Sequence, residues 1–202
     1  MLEWFRRWTR VSGWIELSGA RRRMSPSRIR LYAPADFEAC VELYRRNEPD
    51  RFPVDGLPIF ERSLNEGSVL RFVVEQDGEV RGCAGIHIQI SRNIEHAMLS
   101  YGLVDPRWQG KGLGTALLLA RLAVLPLDIG LVYLLAVPSS RTFYEGYGFR
   151  ECGRVPIGEV ECSGCWARIC PDDIHYGDSL LARCGVEMPA QIPPVPVLTE
   201  VS

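Results

Sequence analysis

Apolar residues along this chain fall into short runs of changing period, separated by glycine, proline and acidic punctuation. Arg28–Tyr32 alternates as a strand, and Pro34–Tyr44 then reads as a helix, with Pro34 and Asp36 at its start and an apolar stripe at Phe37, Cys40, Val41 and Tyr44. Three prolines and Gly56 make 48–58 a loop, and Ile59–Leu64 suits a short helix. Val69–Glu75 and Val80–Ile90, joined across Asp77-Gly78, form the clearest hairpin signal. Gly82 and Gly85 in its second strand predict a bulge or a close backbone approach. Ala97–Val104 is a strand, residues 113–125 a helix stopped by Pro126, and Leu131–Val137 a strand apolar enough to be covered on both faces. A short helix over Arg141–Tyr147 and strands near Phe149–Val155 and Cys165–Cys170 follow. The order predicts an α/β fold of the α+β kind: a mixed, mostly antiparallel sheet with helices on both faces.

Both ends differ from this periodic body. Residues 1–27 form a basic and aromatic extension in which Trp4, Phe5 and Trp8 alternate with Arg6, Arg7 and Arg10. At helical spacing such a strip over residues 1–20 suits an anionic membrane surface or another protein. Its Arg-rich composition also resembles an organelle transit peptide, and it equally fits a translated extension with no structural role, with Met24 as the start. From Val186 onward four prolines in seventeen residues predict an extended, loosely packed tail. The expected organisation is therefore 1–27 extension, 28–185 domain and 186–202 tail.

Charge narrows the function classes. The first thirty residues carry eight arginines against Glu3 and Glu16, a net +6 in a chain whose total is −2, so the remainder is −8. An acidic body argues against nucleic-acid binding and toward a cationic substrate. No apolar run approaches the ~20 residues of a spanning helix. Seven scattered cysteines, an odd number, with no secretory signal visible, point to a reducing, cytoplasmic setting.

The candidate chemistry lies in Val104-Asp105-Pro106-Arg107-Trp108-Gln109-Gly110-Lys111-Gly112-Leu113-Gly114, where a strand ends, a glycine loop follows and an Ala/Leu-rich helix begins. Glycines let backbone approach a ligand, and the first turn of a helix presents unpaired N–H groups with a positive dipole end behind them. The combination suits a phosphate or another anion. Lys111, the chain's one lysine, sits inside this loop.

Gln109-Gly110-Lys111-Gly112-Leu113-Gly114 resembles the Q/R-x-x-G-x-G/A motif of the GCN5-related N-acetyltransferases. Phe143-Tyr144-Glu145-Gly146-Tyr147-Gly148-Phe149 resembles that family's second signature, and the order of elements agrees over roughly 28–170. The resemblance implies the acyl-CoA N-acyltransferase fold and transfer of acetyl from acetyl-CoA to a primary amine, on a small cationic molecule or a peptide N-terminus. It implies that the amides of Gly110 through Thr115, including Leu113, cradle the pyrophosphate. Gly102, Leu103 and Val104 would offer backbone to pantetheine, and Tyr144 would protonate the departing thiolate. Ser139 and Ser140 stand where many relatives carry an Asn, and Ser140 would cap the Tyr-bearing helix and contact the cofactor. Where some relatives carry a basic Glu this chain has Leu135, so His96, Glu95, His87 or a water held near Ser100 are the candidates for deprotonating the amine. The competing reading is a non-catalytic acyl-CoA-binding regulatory module, as a monomer or homodimer.

Cys162-Ser163-Gly164-Cys165, followed by Cys170 and His175, looks like half a zinc site without its second pair, so no metal is expected. Ser163-Gly164 is read as a two-residue hairpin turn placing Cys162 and Cys165 opposite each other.

Overall fold

A computed structural model describes residues 13–17, 20, 24, 26–48, 56–91, 93–158 and 160–199. Its strands are β1 (Gly13–Trp14), β2 (Ser27–Leu31), β3 (Leu70–Gln76), β4 (Glu79–Ser91), β5 (Ile94–Val104), β6 (Leu131–Ala136), β7 (Arg150–Ile157), β8 (Val160–Arg168), β9 (Val186–Glu187) and β10 (Val197–Thr199). The helices are α1 (Phe37–Arg46), α2 (Leu57–Asn65), α3 (Leu113–Ala123), α4 (Pro138–Glu145) and α5 (Pro171–Arg183). The strands form one sheet in the order β1-β8-β6-β5-β4-β3-β2-β9, with β7 also on β8 and β10 also on β4. Its long ladders are antiparallel, and β5–β6 is a short parallel one.

Two layers of helix bury the sheet. α3 packs on β3, β4 and β5 and is backed by α5, while α1 and α2 cover the opposite face. α3 is apolar nearly all round, as a helix between sheet and helix must be, and its Leu117, Leu118, Leu119 and Leu122 belong to the larger core. Tyr44 and Phe60 stack at 5.1 Å between centroids in the smaller core across the sheet.

The hairpin turns at Asp77 and Gly78, both with positive φ, as the Asp-Gly pair requires. The consequential irregularity is one strand further on. Between Cys83↔Leu103 and Gly85↔Ser100, β5 spends one residue more than β4, a bulge that leaves Tyr101 at φ 44. The extra residue reverses the alternation, so Leu99 faces the α3 core while Leu103 faces the α1/α2 core. Gly82 and Gly85 make this bend feasible. A Cβ at Gly82 would stand 2.6 Å from the Leu103 carbonyl oxygen, and one at Gly85 2.6 Å from Ser100 Oγ. β5 then pairs with β6 only over Ala97–Leu99 against Val132–Leu134, and beyond that the two strands part.

Three expectations are corrected. β8 runs unbroken through Ser163 and Gly164, and the chain reverses at Gly158 between β7 and β8. Cys162 and Cys165 therefore sit three positions apart on one strand, where alternation points them to opposite faces, and both are free thiols. α4 begins at Pro138, about a turn earlier than Arg141, with Val137 as its N-cap; Ser140 instead donates its hydroxyl to the Val137 carbonyl at 3.1 Å. The Pro-rich segment is docked, not loose: β9 pairs with β2, and β10 pairs with Ile88–Ile90 of β4. At the other end Ile15, Leu17 and Ala20 are buried in the main core, and Gly148 (φ 86) leaves room for the Trp14 carbonyl that a Cβ would strike. Trp4, Phe5, Trp8 and the arginines among them lie outside the described residues, as does 49–55 of the loop predicted over 48–58.

Candidate functional site

Where β5 leaves β6, a cavity of about 490 Å³ opens between them. At one end are Gln109, Gly110, Gly112, Gly114 and Thr115, at the other Gly102, Arg121 and Tyr144, with Leu99, Leu134 and Leu135 on its walls. The mouth is made by the glycine loop. Gly112 is the N-cap of α3 with φ 88 and Gly110 has φ 75, so two residues of the turn need the left-handed region. The first N–H groups of a helix have no acceptor within it, and Gly112, Gly114 and Thr115 at the start of α3 line the cavity.

Other side chains brace this loop. Asp105, 1% exposed, accepts from the Arg107 backbone N–H at 3.0 Å and pairs with Arg107 and Arg46, each at 2.8 Å. The Arg107 guanidinium, more than its own burial, holds the Asp105 carboxyl well below the usual carboxylate range. Such a depressed group contributes stability above its ordinary pKa, near ~3.9, that is lost as pH falls through its folded value. The urea midpoint should therefore drop between pH 7 and pH 3, and Asp105→Asn should flatten that drop while lowering stability at pH 7. Equal pH slopes in the two proteins would show that Asp105 is not a brace.

Gln109 Nε2 donates to the Val104 carbonyl at 3.1 Å and to Asn47 Oδ1 at 3.3 Å, and Asn47 Nδ2 also reaches the Val104 carbonyl. Val104's carbonyl is thus taken by the protein, and Gln109 ties the loop to the end of α1. Lys111 is exposed with its Nζ 4.1 Å from the Trp108 ring centroid, which Arg81 also approaches at 4.9 Å. Leu113 and Thr115 are buried, and Thr115 Oγ1 meets Tyr147 Oη at 2.7 Å, so these two residues offer backbone, not side chains. Ser140 and Ser139 line the cavity near its mouth.

The inner end is set by Tyr144. Its ring stands edge-on to Phe143 (5.0 Å) and Phe149 (5.7 Å), and its hydroxyl oxygen lies 3.0 Å from where a Gly102 Cβ would be. Gly102 is thus the floor on which that hydroxyl rests. Beside it comes a residue that sequence reasoning missed. Arg121, 1% exposed, lies with Nη2 3.6 Å from the same point. Burial lowers its pKa from the ordinary guanidinium value. Its signal was present, a lone charge within Leu117-Leu-Leu-Ala-Arg-Leu122, where every neighbour is apolar.

His96 is not brought to this place. Its ring packs on Trp166 at 4.8 Å and faces Tyr133 at 6.3 Å, with Nδ1 3.3 Å from the Ile94 carbonyl oxygen. Six residues of extended strand separate it from Gly102, roughly 20 Å. His87 is buried on β4, which pushes its imidazole below the ordinary value, and Glu95 is exposed at the start of β5. Among the described residues no group of three or more His, Cys, Asp or Glu side chains is placed to hold a metal, and no helix is long and apolar enough to cross a membrane.

Comparison with known proteins bears on this geometry. The acetyltransferase (GNAT) domain family matches residues 68–151, a span that holds the bulge, the glycine loop and Tyr144. No curated protein matches the chain by sequence. Among solved structures, the ribosomal-protein-S18-alanine N-acetyltransferase of Escherichia coli is 21% identical and superposes with a TM-score of 0.54 over 70% of this chain and 93% of its own. A Corynebacterium glutamicum protein of the histone acetyltransferase HPA2 and related acetyltransferases is 19% identical, with a TM-score of 0.57 over 72% and 98%. NAA60 of Arabidopsis thaliana, solved with a bisubstrate analogue, is 17% identical, with a TM-score of 0.55 over 70% and 97%. At these identities the structures speak for the fold.

Proposed function

We propose that this chain, whose residues 68–151 match the acetyltransferase (GNAT) domain family, is an acyltransferase that moves acetyl from acetyl-CoA to a primary amine by direct attack within a ternary complex. The observation that carries this reading is the single cavity joining the α3 N-terminus to the Tyr144 hydroxyl through the parting of β5 and β6.

The residues present fit the co-substrate. The amides of Gly110 through Thr115 would hold its pyrophosphate, an anion at a helix start. The Gly102–Leu103 backbone, released from β6, would bond the pantetheine amides as a strand does, with Val104 contributing its N–H side. Lys111, on Trp108, would add a point charge at the rim. Tyr144 donates its proton to sulfur as the C–S bond breaks, which is within a phenol's reach because the thiol formed has a pKa near ~8.5. The amine must attack unprotonated. With His96 walled in by Trp166 and Tyr133, we assign its proton to solvent. The acceptors we favour are small cationic amines or peptide N-termini, as the acidity of the body suggests. Seven free thiols accord with a reducing, cytoplasmic setting.

Calorimetry with acetyl-CoA, followed by thiol detection during incubation with polyamines, aminoglycosides, amino acids and peptides, tests the proposal. Saturable binding with amine-dependent CoA release is expected. Binding without release across the panel would favour the regulatory acyl-CoA-binding module.

A further inference from the structure

Arg121 is a full charge placed where solvent does not reach, and among the described residues no carboxylate pairs with it. Burying an unpaired charge costs several kcal/mol in ordinary circumstances, so such a group is kept for a reason. Its three donor nitrogens have different fates. Nε donates to the Leu117 carbonyl at 3.1 Å, one helical turn back. Nη2 lies 3.6 Å from the Cβ position of Gly102, which the Tyr144 hydroxyl oxygen approaches to 3.0 Å. Nη1 is buried and has no hydrogen-bond partner, and Arg121 is one of the residues lining the cavity.

One consequence follows from the chemistry of these groups. Arginine donates and never accepts, so only an acceptor can satisfy what is left over on its guanidinium. The leftover Nη1 donor and the uncompensated charge make the same spot complementary to an anion. On the reading proposed above, the reaction creates one there: the amine nitrogen bonds to the acyl carbon, the C–S electron pair goes to sulfur, and the Tyr144 proton follows. The phenolate left on Tyr144 lies beside Arg121 until it recovers a proton from solvent.

We propose that Arg121 stabilises the thiolate of CoA as it departs. This rests on the assignment of the cavity to acyl-CoA. It does not require an acceptor to be known.

The test compares CoA with desulfo-CoA, which lacks the sulfur, by calorimetry from pH 6.5 to pH 9. A thiol whose pKa is lowered in the complex binds more tightly as pH rises through the window between its bound and free values. One pKa unit corresponds to about tenfold in affinity. CoA should gain roughly tenfold or more over desulfo-CoA across this range. Tyr144 from α4 and Cys83 from β4 are the titratable groups facing Arg121. Both are present for either ligand, so the difference cancels them. Arg121→Met, close in volume and apolar, should abolish the gain, Arg121→Lys should restore part of it, and Tyr144→Phe should keep it.

Parallel pH profiles for the two ligands in the wild-type protein would overturn the role of Arg121 without need of any variant. A gain that survives in Arg121→Met would overturn it as well. Absence of CoA binding altogether would overturn the acyl-CoA site together with this assignment, whereas binding with a flat difference overturns the arginine alone.

Discussion

Tyr144→Phe is expected to lower turnover by a hundredfold or more, within the ~10²–10⁴ range of a positioned general acid, while acetyl-CoA affinity hardly changes. The substitution keeps the ring, and with it the edge-on packing against Phe143 and Phe149. It removes one oxygen, the one that stands over Gly102. Initial rates of CoA release and a calorimetric titration on the same preparation separate the two effects. Unchanged turnover would remove Tyr144 from the mechanism, and an equal loss of affinity would make it a binding residue.

The second large effect is at the mouth of the cavity. Gly112→Val should weaken acetyl-CoA binding by about tenfold or more, since a β-branched residue in the left-handed region costs on the order of 1–3 kcal/mol and the chain will shift to escape it. That shift misaims the amides of the first turn of α3. Gly114 is a different matter although it belongs to the same motif. Its φ is ordinary, and a Cβ there would meet Phe143 at 3.7 Å, a normal contact, so Gly114→Ala should bind nearly as wild type. Full affinity in Gly112→Val, with its melting midpoint as the control for folding, would detach the loop from the ligand.

The contrast between these glycines shows what sequence could and could not reveal. Local chemistry was legible. Asp77-Gly78 forms its hairpin because only such a pair tolerates two positive φ angles, and the glycine loop lies between β5 and α3 as its spacing suggested, with Gly110 and Gly112 at positive φ. The bulge was legible only from its partner strand: Gly82 and Gly85 of β4 pointed to an irregularity, while nothing in Ser100-Tyr101-Gly102 of β5 showed that Tyr101 would carry it. It exists because β4 offers two glycines opposite, a cross-strand fact. For the same reason the chain around Ser163-Gly164 was misjudged. A small polar pair looks like a turn, yet Gly164 is there because a Cβ would stand 2.8 Å from the Tyr133 hydroxyl on the adjacent strand. Arg121 was overlooked on different grounds, because a helical arginine is ordinarily a solvated one, and its depth became apparent only once α5 was seen to close over α3. His96 erred in the other direction: an imidazole near the right strand drew attention, and aromatic packing accounts for it.

The placement of β10 has a consequence beyond the site. β3 accompanies β4 only as far as Ile86, after which the backbone of Ile88–Ile90 is taken up by Val197–Thr199, with the Ile88 N–H donating to the Pro196 carbonyl at 2.7 Å. Bare sheet backbone of that apolar character is a template on which another molecule can add a strand. Val197–Thr199 occupies it from within the same chain, and the prolines leading into it, which cannot donate hydrogen bonds, keep the approach from extending the ladder further. Val197–Thr199 thus covers from within the chain a stretch of β4 backbone that would otherwise be open to strand addition, at a distance from the cavity.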